Sequence, residues 1–275
     1  MSKQPIGIFD SGIGGLSILA QIRQLLPNES LLYFADQAHV PYGSRPLPEV
    51  RHFSMEISRY LIERGSKCIV VACNTASAAA LDHLRASFPQ VPFVGMEPAV
   101  KPAAAVTESG HIGVLATPAT FEGELFASVV ARFASGVEVH QRTAPGLVER
   151  IENGDLRSAG TKALIKETVQ PMLAAGIDTL VLGCTHYPFI VPLLKEIVGP
   201  EVQVIDPAPA IDRQTRRVLA EGGLAAPAGI PVTIRYVTSA DPNRLADLVH
   251  LLVGHPGEME AIAWQAGRLP LPRDS

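Results

Sequence analysis

Several things are scarce in this chain of 275 residues. It has three cysteines (Cys68, Cys73 and Cys184), one tryptophan, few aromatics and few charges. No apolar run approaches the roughly 18 residues that a membrane-spanning helix needs. The first strand-like run begins within a few residues of Met1, leaving no room for a signal peptide. Three cysteines without paired spacing fit free thiols in a reducing compartment better than a disulfide framework. Excess positive charge is also missing: the formal net charge is −4. Nucleic acid is therefore a poor candidate ligand. These absences predict a cytoplasmic protein without membrane or nucleic-acid partners. With 47% hydrophobic and 18% charged residues, the chain can fill a substantial core.

Short β-branched runs alternate with longer amphipathic stretches. The strands predicted are Pro5–Asp10, Leu31–Ala35, Cys68–Ala72, Val91–Gly95, His111–Ala116, Glu138–Arg142, Thr179–Leu182, Gln203–Asp206 and Val232–Val237. Helical patterns include Ser17–Leu26, Glu49–Glu63, Phe121–Phe133, Thr161–Ala174 and Leu245–Val253. Continuous apolar strands alternating with helices indicate parallel sheets covered on both faces, an α/β fold. An internal repeat runs through this pattern. Cys73 and Cys184 lie 111 residues apart, and the same offset superposes Gly65 on Gly176, Val70 on Val181, Val94 on Ile205, Pro98 on Pro209 and Val100 on Ile211. Near the start, "IGIFDS" at Ile6–Ser11 matches "IGVLAT" at Ile112–Thr117 with an offset of 106. A fixed offset across several elements predicts two similar lobes. The first spans residues 1–97 plus 208–275 and the second 98–207, with the C-terminal strand and helix returning to the first. The tail from Ala266 has no repeat partner and reads as loose surface chain.

In parallel sheets, ligands bind beyond the carboxyl ends of the strands. Residues just past those ends are Asp10–Ser11, Asp36 with the following Pro41–Gly43, Cys73–Asn74–Thr75, Thr117 and Cys184–Thr185–His186. They would line a site between the lobes for a small, polar, charged molecule. "DSGIGG" at Asp10–Gly15 invites a dinucleotide reading, but the third glycine of that fingerprint is Ser17, and Asp10 would face the pyrophosphate. A metal site on Cys73, Cys184, His186 and Asp10 lacks the close local cysteine pairs that zinc motifs bring. Single-nucleophile acyl transfer would leave the second cysteine without a role. Cys68 lies inside a strand and reads as core.

Cys73 and Cys184 stand at equivalent strand–helix corners, where a helix N-terminus would lower a thiol's pKa. Two opposed thiols, each facing one side of a ligand, can remove a proton from one face of a carbon and return one to the other. Asp10, beside the first corner, and His186, beside the second, could share those protons. A nicotinamide oxidoreductase and an amino-acid-binding module without chemistry are the other function classes, and neither explains a doubled cysteine corner.

The blocks "FDSGIGGLS", "DQAHVPYGSR", "VVACNTASA" and "LVLGCTHYP" resemble, in order and over nearly the whole chain, those of the glutamate racemases. The resemblance implies a cofactor-independent enzyme that interconverts L- and D-glutamate for bacterial peptidoglycan, with two α/β lobes enclosing the site. It implies that Cys184 takes the proton from L-glutamate and Cys73 from D-glutamate. Asp10, Ser11, Tyr42, Gly43, Asn74, Thr75, Thr185 and His186 match the substrate-holding positions, with Asp10 placed to pair with the ammonium. No metal is implied, and a homodimer is. Aspartate is the alternative substrate. An acidic residue belongs in the "LVE" block before the second cysteine, and "LVERIENG" offers both Glu149 and Glu152. Glu149 fits by its neighbours, and the choice stays open.

Overall fold

A computed structural model describes residues 3–270. Along the chain, β1 (Ile6–Asp10), α1 (Leu16–Leu25), β2 (Leu31–Ala35), α2 (Leu47–Glu63), β3 (Cys68–Val71), α3 (Asn74–Ser87) and β4 (Phe93–Gly95) come first. Then follow α4 (Val100–Val106), β5 (His111–Ala116), α5 (Pro118–Glu122), α6 (Glu124–Phe133), β6 (Glu138–Arg142), α7 (Leu147–Glu152), α8 (Ala159–Ala174), β7 (Thr179–Gly183), α9 (Val191–Val198) and β8 (Gln203–Ile205). The last elements are α10 (Ala208–Glu221), β9 (Ile234–Thr238), α11 (Pro242–Leu252) and β10 (Glu258–Ala261). No helix among the described residues is long and apolar enough to cross a membrane.

The strands form two all-parallel sheets. The first runs β10-β9-β2-β1-β3-β4 and the second β6-β5-β7-β8. The order β2-β1-β3-β4 therefore recurs as β6-β5-β7-β8, and the repeat read from sequence is a repeat of topology. Gly65 and Gly176, matched at the offset of 111, both adopt φ of 81°. Each turns the chain from the end of a helix toward the next strand, in a conformation that favours glycine. The returning C-terminal chain extends the first sheet with β9 as expected and with β10, which was not expected: its EMEA has no strand-like apolar run.

Alternation along β1 shows how the first sheet is covered. Ile6 and Ile8 pack into a core formed with Leu16, Leu19 and Ile22 of α1, while Phe9 joins Phe53, Ile57 and Leu84 of α2 and α3 on the other face. On the second sheet, Ile112 and Val114 pack against Val100 of α4 and Phe126 of α6, and Leu180 and Leu182 against the α8–α9 side. The core that begins under α1 continues through Leu147 and Ile151 to Ile165 and Leu194, so apolar packing bridges both sheets.

Two expectations need correction. The helix expected over Phe121–Phe133 breaks at Gly123, whose backbone is extended (φ −69°, ψ 137°). A Cβ there would stand 2.7 Å from the Ala78 Cβ of α3, so close contact between helices of the two sheets requires the glycine. The tail from Ala266 is docked rather than loose as far as residue 270. Leu269 is buried against the core beneath α2, its carbonyl accepts from Arg59 at 2.8 Å, and His52 contacts the Gly267 carbonyl at 2.7 Å. The rest of the expected tail lies outside the described residues.

Candidate active site

The carboxyl ends of β1, β3, β5 and β7 open onto one small cavity. Its wall includes Ser11, Tyr42, Gly43, Cys73, Asn74, Thr75, Cys184, Thr185 and His186, together with Pro41, Thr117 and Val148. Nine of the ten residues singled out from sequence thus share one wall. The free space admits little more than the centre of one water molecule, about 10 Å³. No lysine or arginine lines it.

Asp10 stands one layer behind the wall. Fully buried, its Oδ2 accepts from the N–H groups of Gly12 (3.2 Å) and Gly15 (3.1 Å), and its Oδ1 from the Thr185 hydroxyl (3.3 Å). Burial raises its pKa, with the Glu152 charge adding to the rise and the His186 charge opposing it. The Asp10 charge and the Cys73 thiol each shift the other's titration. Asp10 is therefore placed to act on the thiol, and it stands behind the wall of the cavity as it is closed here.

Cys73 caps α3, its Sγ accepting from the Ala76 N–H at 3.5 Å. The helix start does not lower its pKa, contrary to expectation. Burial pushes the thiol well above its usual value, and the neighbouring Asp10 charge pushes further; the Ala76 N–H opposes both and loses. Cys73 is held as a neutral thiol.

The second corner is built differently. After β7 the chain turns through Cys184–His186 into a single 3₁₀ turn at Tyr187–Ile190, and α9 begins only at Val191. The expected helix start is absent, and a charged pair occupies the corner instead. His186 Nδ1 lies 3.8 Å from Cys184 Sγ, and its Nε2 lies 2.7 Å from Glu152 Oε1. That same oxygen accepts from the Ile13 N–H at 2.8 Å, and Glu152 Oε2 accepts from Gln37 at 3.3 Å. Burial lowers the His186 pKa, but bonds to Cys184 and Glu152 outweigh it and raise the ring well above its ordinary value. Burial likewise works against the Glu152 carboxylate, yet the bond to His186 and the charge of that ring hold it below the usual range. The result is an imidazolium beside Cys184 and a neutral thiol at Cys73.

Glu152 is the site residue that sequence reading left undecided. It is buried at the end of α7, while Glu149 is exposed. Six residues are too few for a stable helix alone. Burial of Leu147, Val148 and Ile151, each contributing about 1.5–3 kcal/mol, anchors α7 and aims the carboxylate at His186. Gly146, at φ 83°, starts this helix.

Two further features bear on a ligand. The side-chain nitrogen and oxygen of Asn74 are buried and have no hydrogen-bond partner in the protein. Native proteins rarely leave such atoms unpaired. Tyr42 is different: its hydroxyl donates to Asp36 Oδ2 at 2.6 Å, so what it offers the cavity is its ring and backbone. The Thr75 and Thr117 hydroxyls, 2.9 Å apart, join the walls contributed by the two sheets.

Comparison with known proteins places this arrangement. The family model for Asp/Glu/Hydantoin racemase matches residues 13–215. A glutamate racemase of Roseiflexus sp. is 52% identical over 252 residues, covering 91% of this chain and 93% of that protein. The solved Francisella tularensis glutamate racemase in complex with D-glutamate superposes with a TM-score of 0.83 at 28% identity, covering 96% of this chain and 98% of that one. The Escherichia coli glutamate racemase, in complex with L-glutamate and the activator UDP-MurNAc-ala, also gives 0.83, at 30% identity over 94% and 98%.

Proposed function

The chain belongs to the Asp/Glu/hydantoin racemase family, and from that premise we propose a two-base, cofactor-independent inversion of glutamate at Cα, carried by Cys73 and Cys184. Its activity is that of a glutamate racemase, an isomerase. The observation that carries the mechanism is the pair of cysteines in one closed wall, each backed by a different titratable group.

Starting from L-glutamate, Cys184 takes the Cα proton as thiolate, stabilised by the imidazolium of His186 at 3.8 Å. Cys73, neutral beside Asp10, gives its proton to the opposite face. The bond electrons left at Cα are briefly shared with the α-carboxylate and then form the new C–H bond. Afterwards Cys184 carries the substrate proton and Cys73 is the thiolate, which is the starting state for D-glutamate. Asn74, with its unpaired amide, and the hydroxyls of Ser11, Thr75 and Thr185 hold the substrate carboxylates without a buried cation. The free N–H groups at the start of α3 assist them. With 10 Å³ open, the cavity has to widen to admit glutamate.

The lobes are proposed as residues 1–97 plus 208–275 and 98–207, with the site at their interface. The setting proposed is the cytoplasm of a bacterium, supplying D-glutamate for peptidoglycan. The homodimer is likewise a proposal, which sedimentation equilibrium tests.

The mechanism is tested in deuterated water, starting from L-glutamate and stopping early. Product D-glutamate carries deuterium at Cα, because Cys73 exchanges with solvent before it donates, while recovered L-glutamate carries little. Mass spectrometry of the separated enantiomers decides between mechanisms. Label appearing alike in both pools, or in neither, would refute two opposed bases.

A further inference from the structure

Three side chains that the racemase reaction does not use meet at the far end of the second sheet. His111 opens β5, and Glu138 and His140 stand two residues apart on β6, the edge strand. The parallel register sets Glu138 beside His111, and the two-residue period of a strand keeps His140 on the same face as Glu138. His111 Nδ1 is 3.1 Å from His140 Nε2. The Glu138 carboxylate straddles the rings, with Oε2 3.5 Å from His111 Nδ1 and Oε1 3.6 Å from His140 Nε2. One ligand atom from each residue falls within 4.8 Å of the others, and no other such group of three forms among the described residues.

We propose that His111, Glu138 and His140 bind one divalent transition-metal ion of the zinc class, clipping the edge strand β6 to β5. The spacing carries the argument. Bonds of about 2.0–2.2 Å at tetrahedral angles separate neighbouring ligand atoms by roughly 3.3–3.5 Å; the two ring nitrogens are 3.1 Å apart, and each lies 3.5 or 3.6 Å from one of the two Glu138 oxygens. A hydrogen bond between the rings accounts for the first of these distances and ion pairing with Glu138 for the other two. A single cation takes the place of all three contacts, because one ligand atom from each residue lies within 4.8 Å of the others. Nitrogen donors select zinc, cobalt or nickel over calcium and magnesium, which prefer oxygen. His140 keeps 18% side-chain exposure, leaving an open side where water completes the coordination.

Position decides the role. The cleft opens past Ala116 at Thr117, and His111 begins the strand, so about 3.3 Å per residue puts the metal roughly 20 Å from the thiols' cavity. The ion is structural. Glu138, Gln141 and Arg142 are exposed, so β6 has little burial to hold it, and a clip secures an edge otherwise open to fraying or mispairing.

The test uses the full chain, dialysed against chelator and titrated with cobalt(II) and with zinc(II). The expected result is one ion per chain, a four-coordinate cobalt spectrum without a thiolate charge-transfer band, and a melting temperature that rises with metal concentration. His140→Ala should weaken binding at least about tenfold and abolish the thermal shift while leaving racemisation unchanged. A Cys73→Ser/Cys184→Ser double variant should bind as the wild type does. Equal binding by His140→Ala, loss of binding with the two cysteines, or no saturation by about millimolar metal, the range of the weakest metal sites, would each overturn the proposal.

Discussion

Replacing Glu152 with Gln removes one charge and nearly preserves shape. In the native site, Glu152 Oε1 serves both the Ile13 N–H at 2.8 Å and His186 Nε2 at 2.7 Å. The amide oxygen of Gln can still accept from Ile13, so the local backbone should hold. What is lost is the charge on the bond to His186. Hydrogen bonds to charged groups contribute about 1.5–3 kcal/mol, against about 0.5–1.5 for neutral ones. The loss is thus about 1–2 kcal/mol, or roughly 5- to 30-fold in rate at 1.36 kcal/mol per tenfold. Since the enantiomers have equal free energy, kcat/KM stays equal in the two directions in every variant. The asymmetry therefore appears in kcat and in isotope effects. With L-glutamate deuterated at Cα, the primary isotope effect should grow in Glu152→Gln, because proton removal by Cys184 becomes the slower step. With deuterated D-glutamate it should not. Circular dichroism follows turnover from each enantiomer. Unchanged kcat in both directions, or equal losses with unchanged isotope effects, would refute the assignment of Glu152 to the Cys184 side.

The same pair sets a pH signature. The Glu152 pKa is depressed, so its contribution to stability is present above the unfolded carboxyl value of about 4.3 and is lost as pH falls through the lower folded value. The His186 pKa is raised, so its contribution is complete below about 6.5 and is lost as pH rises through the elevated folded value. The stability difference between wild type and Glu152→Gln should be largest between about pH 4.3 and 6.5, as urea denaturation across that range would show.

Other substitutions separate chemistry from scaffold. Cys73→Ala and Cys184→Ala should each abolish racemisation with the fold intact by circular dichroism, whereas Cys68→Ala should keep turnover and lose about 1 kcal/mol, since that buried thiol is pushed up to about 12 and is inert. Turnover without either corner cysteine would refute their role. Asn74→Ala should raise KM for both enantiomers without lowering the melting temperature, because both polar atoms of its side chain are already unpaired; a clear loss of stability would contradict that reading. In Gly12→Ala the new Cβ would stand 1.9 Å from Glu152 Oε1, so this change should displace the carboxylate and copy the Glu152→Gln kinetics, within about tenfold. Unaltered kinetics there would show that the carboxylate is not needed at that spot.

The repeat was legible because strand order, helix-ending glycines and cysteine corners recur together along the chain. Gly65 and Gly176 share more than an offset: they share a conformation that other residues resist. Features fixed by distant packing were less legible. The break at Gly123 depends on Ala78, and the docking of Leu269 depends on Arg59 and the core beneath α2. β10 lacks a strand pattern because its residues are mostly exposed, and it forms by pairing with β9.

At the site, position was legible and protonation was not. Strand ends bring nine chosen residues to one wall, and that follows from topology. The choice between Glu149 and Glu152 could also have been made from sequence. Leu147, Val148 and Ile151 mark the buried face of α7, and Glu152 follows Val148 by four residues on that face, while Glu149 turns outward. The Cys73 thiol departs from expectation for a different reason. A helix start favours a thiolate, but full burial and the Asp10 charge outweigh one N–H at 3.5 Å. That reversal suits the proposed mechanism, in which neutral Cys73 is the acid and Cys184, beside His186, is the base for L-glutamate. In that scheme one proton transfer exchanges the two roles. Sequence symmetry therefore provides the two corners, and their unlike partners, Asp10 and the His186–Glu152 pair, make one corner differ from the other in the resting enzyme.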